Sequence, residues 1–305
     1  MKPVSAMELC EAVRAGRALQ ATRLNRILRQ DASQGVLEVQ AATPWLAIAE
    51  ELRPGDARAR VRTTMPTVGE SIERNSAGPD GMPAVAHVAS LTLVTPEGEL
   101  RRVSRDRDAE LFALTVGGQG LFGAIYSVTL RLPSLARAVE RASAPQAMAL
   151  PRPPAAHRLE LLVPPAALAD FMRDVDSRCN DWRTPLHSVL VRETAPENDT
   201  FLRWARRDYA EVTLGFPRVT RLGAAVRATQ LRRQLIDAAI AAGGSFHIAC
   251  TPDATREQLT ACYPQLEEFI AHKRRFDPNE RLVNAWYLHQ RSLLAREVCD
   301  VRFAN

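Results

Sequence analysis

Residues 65–81 read MPTVGESIERNSAGPDG, and residues 116–132 read VGGQGLFGAIYSVTLRL. Glycine admits positive φ and lets backbone N–H groups come close to a ligand, so loops of this kind cradle a pyrophosphate or lie against a planar ring. They also serve as plain tight turns. The order of elements narrows the choice. The second cluster follows a helical pattern, AELFALTV from Ala109, and runs into a strand pattern, AIYSVTLRL. Dinucleotide and P-loop folds place their glycines between a strand and the helix after it, which is the reverse order. A doubly wound parallel nucleotide fold is therefore excluded.

Short alternating elements surround these segments. Ser5 with Glu8 forms a capping-box pattern, and Leu9, Ala12 and Val13 share a face up to a stop at Gly16, which predicts a helix of about three turns. Gly35 to Gln40 alternates like a half-buried strand, and Thr43-Pro44 starts a helix, WLAIAEEL. Arg53 to Gly81 is rich in Pro, Gly and small polar residues and predicts a loop region. Ala89–Thr95 and Glu99–Ser104 flank Pro96-Glu97-Gly98 as a β-hairpin, and Asp108 caps the helix that precedes the second glycine segment. The prolines between Pro133 and Pro165 mark a domain boundary.

Beyond that boundary the pattern predicts strand RLELLV, helix ALADFMRDVDSRC, strands HSVLVRE and YAEVTL, a long helix from Leu222 to Ala242, and strand SFHIAC. A single last helix from Ala254 to about Arg275 precedes Asp277-Pro278 and an aromatic tail, NAWYLHQR. Strands mixed with packed helices predict an α+β fold.

Composition sets outer bounds. The 305 residues are 46% hydrophobic and 25% charged, enough for about two domains with substantial cores. The net charge of +5 is interleaved with acids, so no nucleic-acid partner is expected, while anionic small molecules fit. Five cysteines without a C-x-x-C pair predict neither a disulfide framework nor a zinc site. No signal-like or membrane-spanning stretch stands out, and a cytoplasmic protein with no membrane span is expected.

Thr67 to Leu132 resembles the FAD-binding domain of the vanillyl-alcohol oxidase and p-cresol methylhydroxylase (PCMH-type) flavoproteins. The resemblance lies in TVG-x-S-I-x-x-N-x-x-G, in HVASLTLVTPEGELRRVSRD, and in ELFALTVGGQGLFG with its closing TLRL strand. Within that superfamily the aldonolactone oxidase, alditol oxidase and decaprenylphosphoryl ribose oxidase branch looks nearest. YPQLEEFIAHKRRFDPNERLVNAWY, from Tyr263, resembles the closing segment of the same proteins.

The resemblance implies a PCMH-type FAD-binding domain over 1–136, an α+β substrate domain on an antiparallel sheet over 137–262, and a C-terminal segment, 263–305, that returns to the first domain. It implies FAD as cofactor and oxidation of a CH–OH group of a sugar, polyol or aldonolactone by hydride transfer to flavin N5. It leaves the electron acceptor open. Thr67, Val68, Gly69, Ser71, Asn75 and Gly78 would approach the diphosphate and flavin, and Gly117, Gly118, Gly120, Phe122, Gly123 and Ile125 would line the other side of the cofactor.

Three departures from the family's pattern bear on activity. The strand and pyrophosphate loop that follow the first helix in the family are absent after Gly16, which makes the N-terminal subdomain incomplete. Glu70 replaces the second glycine of the TVGG motif, a like charge near a diphosphate unless it turns to solvent or pairs with Arg74. Cys250 stands where oxidases of this branch carry Lys, Tyr or a similar polar residue. Asn75-Ser-Ala-Gly replaces the histidine of the covalently linked members, so FAD would be noncovalent and weakly held.

His247, Cys250 and Lys273 are the candidate catalytic residues, with no metal site expected. Each has a plainer role available: a core histidine, an inert buried thiol, and a cation at a helix C-terminus. His87 near the first glycine segment reads as a surface or capped histidine rather than a flavin contact. The leading expectation is an FAD-linked oxidoreductase acting on CH–OH donors. The alternatives are a degenerate, non-catalytic relative that serves as a binding or scaffold protein, and a truncated gene product.

Overall fold

The computed structural model describes residues 1–17, 21–52, 66–78, 80–142, 157–219 and 221–295. Its elements run α1 (Ala6–Arg14), β1 (Ile27–Asp31), β2 (Val36–Gln40), α2 (Trp45–Leu52), α3 (Val68–Arg74), β3 (Val88–Val94), β4 (Leu100–Ser104), α4 (Ala109–Thr115), β5 (Ala124–Arg131) and α5 (Leu132–Ala142). They continue with β6 (His157–Val163), α6 (Leu168–Asp181), β7 (Ser188–Thr194), β8 (Tyr209–Phe216), α7 (Leu222–Ala241), β9 (Ser245–Phe246), α8 (Arg256–Cys262), α9 (Leu266–Phe276) and α10 (Ala285–Ala295). Helices with two antiparallel sheets make this an α+β protein. The chain divides into two compact units. The first takes 1–146, 197–203 and 267–289, and the second takes 147–196, 204–266 and 290–305.

The first unit is built on a five-stranded sheet in the order β1-β2-β5-β3-β4, antiparallel throughout. Central strand β5 pairs Val39 with Val128 on one side and Leu91 with Val128 on the other, and all three side chains are fully buried. The β3–β4 hairpin closes at Pro96-Glu97-Gly98, as its sequence predicts, with Thr95 N donating to Glu99 O at 2.9 Å. Helix α1 starts at Ser5, whose Oγ accepts from Glu8 N at 3.2 Å, and buries Leu9, Cys10 and Val13 with Leu24 and Val94. Strand β1 has no counterpart in the sequence reading. It forms because Asp31 Oδ1 accepts from Ser33 Oγ at 2.6 Å and from Gln34 N at 3.0 Å, turning the chain into β2.

The second unit has a four-stranded sheet, β7-β8-β6-β9, again antiparallel. Strand alternation puts Leu159, Leu161, Val212 and Leu214 on one face, where they are buried. Arg232 of α7 lies over the Phe216 ring, 5.9 Å from its centroid, and α6 packs against α7.

Two sequence readings are corrected here, and the aromatic tail, to which the sequence assigns no element, gains one. The strand expected over SFHIAC spans only Ser245–Phe246, because the chain then enters a 3₁₀ turn at Ile248–Cys250. The single last helix is two, α8 and α9. Pro264 bars Tyr263 from helical geometry, and Tyr263 adopts φ −134°, ψ 63°. The aromatic tail is helix α10, started by Asn284 Oδ1 accepting from Tyr287 N at 2.9 Å.

Within the first unit, one guanidinium supplies several of the bonds that hold residues 197–203. Arg105 donates to Asp199 Oδ1 and Oδ2 at 2.8 and 2.6 Å, and to the Val88 and Val85 carbonyls at 2.6 and 2.9 Å. The same group lies 5.3 Å from the Phe112 ring centroid. Arg105→Ala is expected to destabilise the protein by about 2–4 kcal/mol, since it strips several charge-assisted bonds at once. Arg105→Lys recovers little of this, because an ammonium cannot reproduce the fork. Urea unfolding of the three proteins checks both statements, and equal midpoints would refute them.

Candidate functional site

The two glycine segments meet in the first unit, and they meet each other. Helix α3 ends at Asn75, in the left-handed region at φ 45°. The second segment bonds carbonyls of its last turn: Gln119 N donates to Glu73 O at 2.8 Å, and Gly117 N donates at 2.9 Å to Ile72 O, which also accepts from Asn75 N at 3.0 Å. Asn75 is itself spent within the unit, since Oδ1 accepts from Val85 N at 3.2 Å and Nδ2 donates to Glu197 Oε1 at 3.3 Å. Ser71 Oγ accepts from Trp45 Nε1 at 2.8 Å, and Thr67 Oγ1 caps α3 through Glu70 N at 3.3 Å.

The glycines are explained by close packing of the chain on itself. A Cβ at Gly69 would lie 2.7 Å from the Ala41 carbonyl oxygen, and one at Gly123 would lie 2.6 Å from Leu93 Cδ1. At Gly78 it would meet the His87 ring at 3.1 Å, and at Gly118 it would overlap the Leu114 carbonyl. Gly117 and Gly120 hold φ of +77° and +73° in the turn. Val68 and Ile125 are core residues. Phe122 is buried among aromatic rings, with Phe269 at 5.1 Å and Phe276 at 5.9 Å between centroids. At Gly69, Gly78, Gly118 and Gly123 chain atoms fill the space that the missing side chain leaves, whereas at Gly120 nothing lies nearer than 3.6 Å.

Expected in a surface or capped role, His87 takes a buried, hydrogen-bonded one. It is 1% exposed, with Nδ1 2.8 Å from Ser134 Oγ and Nε2 3.1 Å from Asp80 Oδ1, and so locks the 80–87 segment onto the start of α5. Glu70 turns to solvent, which removes the repulsion its position suggested. The acid of this helix whose titration the fold shifts is the half-buried Glu73, which the sequence reading missed. Burial and the Glu70 charge push its carboxyl up to about 7, against the pull of Arg74.

Lys273 also belongs to the first unit. It is fully buried, paired with Asp277, and 6.0 Å from the Tyr287 ring centroid. Asp277 accepts as well from Arg281 N at 3.0 Å and Leu282 N at 2.8 Å, so the pair closes the turn after α9. Desolvation lowers the Lys273 pKa, and Asp277 opposes the shift.

His247 and Cys250 belong to the second unit. There, the sheet face opposite Leu159 and Leu161 is polar: register places Glu160 across from Thr213, and Glu211 across from Arg192. Glu160, Glu211, Thr213 and Thr194 are all buried. Arg192 bonds Glu211 Oε1 at 3.0 Å, while Arg192 Nε, Glu211 Oε2, Thr194 Oγ1 and Thr213 Oγ1 find no hydrogen-bond partner among the described residues. Burial pushes the Glu211 carboxyl up, with Arg192 pulling it down and Glu160 adding to the rise. His247 lies beside this face, its N–H donating to Glu160 O at 3.0 Å and its ring 5.1 Å from that of Trp204. The sequence signal for this face was present in the alternation of Tyr209, Glu211 and Thr213 in YAEVTL and in the Arg192, Thr194 pair of VLVRET.

Residues 6–104 match the family model of an FAD binding domain. That match takes in the first glycine segment and ends with β4, before the second. It indicates FAD as the cofactor. No curated protein matches the chain. Among the described residues, no helix is long and apolar enough to cross a membrane.

The Glu73 environment gives a testable pH dependence. Between its ordinary 4.5 and about 7 the folded protein keeps a proton that the unfolded chain has lost, so stability falls as pH rises through that window. Glu73→Gln removes the fall and is expected to be more stable than the parent at pH 8 by about 1–3 kcal/mol, with little difference at pH 4. Denaturant midpoints at the two pH values decide it, and parallel profiles would reject the shifted carboxyl.

Proposed function

We propose that this protein is an FAD-dependent oxidoreductase that oxidises a CH–OH group of a sugar, polyol or aldonolactone, and that it holds FAD noncovalently and weakly. The observation that carries the substrate class is the polar face of the second unit's sheet. Arg192 Nε, Thr194 Oγ1, Thr213 Oγ1 and Glu211 Oε2 are donors and acceptors buried without partners among the described residues. An unsatisfied buried polar group costs about 1–3 kcal/mol, and a chain of hydroxyls, each able to donate and accept, satisfies a mixed row of this kind. His247 stands next to that row and Cys250 follows it on the 3₁₀ turn, which makes them the substrate-side residues of this reading. The cofactor rests on the family match.

A second reading is favoured by the packing of the glycines. Because Gly69, Gly118 and Gly123 are required by neighbouring chain atoms, the glycine pattern persists in a protein that has lost its cofactor. A degenerate relative acting as a binding or scaffold protein would keep these residues for the fold alone.

Calorimetric titration with FAD separates the two. Loss of about 3 neutral N–H contacts to the diphosphate, at roughly 0.5–1.5 kcal/mol each, weakens a nanomolar site by about 10- to 1000-fold. The expected outcome is reversible binding with a Kd tighter than about 100 µM, and bleaching of the added flavin by a polyol or aldonolactone. Absence of binding at millimolar FAD would reject the oxidoreductase and leave the scaffold.

A further inference from the structure

We propose that Glu160, His247 and Cys250 form a binding site for a divalent transition metal, zinc in the first instance. The carboxylate, imidazole and thiol ligand atoms of these three residues lie within 4.8 Å of one another. This inference does not depend on the oxidoreductase reading, and it reverses the expectation of no metal site that cysteine spacing alone gives.

The chain brings the three together by local rules. Glu160 sits in β6, and the short pairing of β9 with β6 at Leu161 and Phe246 delivers His247 beside it. His247 N donates to Glu160 O at 3.0 Å, which fixes the two backbones together. The chain then makes a 3₁₀ turn, closed by Cys250 N donating to His247 O at 3.0 Å. With about three residues per turn, positions i and i+3 lie on one side, so Cys250 comes back over His247. Thr251 Oγ1 donates to the same His247 carbonyl at 2.9 Å and holds the turn shut.

The donor chemistry suits zinc, which takes thiolate, imidazole and carboxylate at about 2.0–2.3 Å in a tetrahedron, so that ligand atoms lie roughly 3.5 Å apart. The ligand atoms, each within 4.8 Å of the others, would close to that spacing around a bound ion. Three protein donors leave the fourth position for a water or another oxygen ligand.

Charge supports the same assignment. Glu160 and Glu211 are each 2% exposed on one sheet face, and Arg192 is paired with Glu211. A carboxylate withdrawn from water is stabilised by a cationic partner. A doubly charged metal bound by Glu160 and the Cys250 thiolate supplies one, as Arg192 does for Glu211. A protonated His247 paired with Glu160 would also balance the face without metal, and the test below distinguishes the two.

Metal-free, full-length protein is titrated with zinc against a chromophoric chelator, and separately with cobalt(II) followed by absorption. The expected result is one zinc per chain with a micromolar or tighter Kd, and a thiolate-to-cobalt charge-transfer band. Cys250→Ser and His247→Gln are each expected to weaken zinc by at least ~100-fold, beyond the roughly 10–100-fold carried by outer partners of a ligand. Cys250→Ser also abolishes the cobalt band, whereas Cys262→Ser leaves both signals in place. Cys250→Asp restores a ligand and so recovers zinc without the band, which guards against a Ser variant that merely misfolds. No zinc uptake at about 100 µM, or uptake unchanged in Cys250→Ser, would overturn the site and leave the protonated histidine as the balancing charge.

Discussion

The first unit depends on two backbone hydrogen bonds, from Gly117 N to Ile72 O and from Gln119 N to Glu73 O. A helix as short as α3 leaves a large share of its carbonyls without partners of its own, and a buried end of that kind is untenable unless something else donates. The turn after α4 supplies those donors. Its backbone can approach only because Gly117 and Gly120 take positive φ, and because Gly118 has no Cβ to meet the Leu114 carbonyl. From this junction the constraint passes outward through Asn75, which holds Val85 N and Glu197. Glu197 then accepts from Asp199 N at 2.8 Å and Thr200 N at 3.0 Å, so a segment distant in sequence is ordered by a helix cap.

The second unit solves a different problem. Every residue of β8 is buried, yet the strand alternates Glu211 and Thr213 with Ala210, Val212 and Leu214. One face is an ordinary apolar layer under α7. The other carries charge and hydroxyls away from bulk water, a costly arrangement that a protein retains where the polar groups are used. Arg192 meets half of Glu211's requirement, since one carboxylate oxygen is bonded and the other is not. This asymmetry, repeated at Thr194 and Thr213, is what the proposed function draws on.

Much of the architecture could be read from the sequence because it rests on local signals. The β3–β4 hairpin follows from Pro96-Glu97-Gly98 between alternating runs, and helix α7 from twenty residues with no proline and a single glycine, Gly223, in the first turn. The readings failed where a local signal was overridden or overlooked. Pro264 inside an otherwise helical run splits α8 from α9, and β1 was hidden because its turn depends on the Asp31 side chain rather than on an apolar pattern. The candidate site was less legible. Glu160, Arg192, Glu211 and Thr213 come from three strands whose register no single-strand pattern discloses, and Glu73 looks like any surface acid until Gln119 closes over its carbonyl.

The glycine segments show why motif and site are separable. A glycine is needed wherever two backbones, or a backbone and a ligand, come closer than a Cβ allows, and the residue type does not say which. At Gly69 the close neighbour is Ala41, and at Gly123 it is Leu93. A lineage can therefore lose a ligand and still be held to its glycines by packing, so the pattern reports ancestry of the fold more securely than occupancy of a pocket. Cys250 is the opposite case. Neither strand pairing nor core packing calls for a thiol on a half-buried 3₁₀ turn, and its three-residue spacing from His247 acquires chemical meaning only once Glu160 is placed beside both. Residues that the fold does not need, gathered by elements that it does, are the firmer evidence of use.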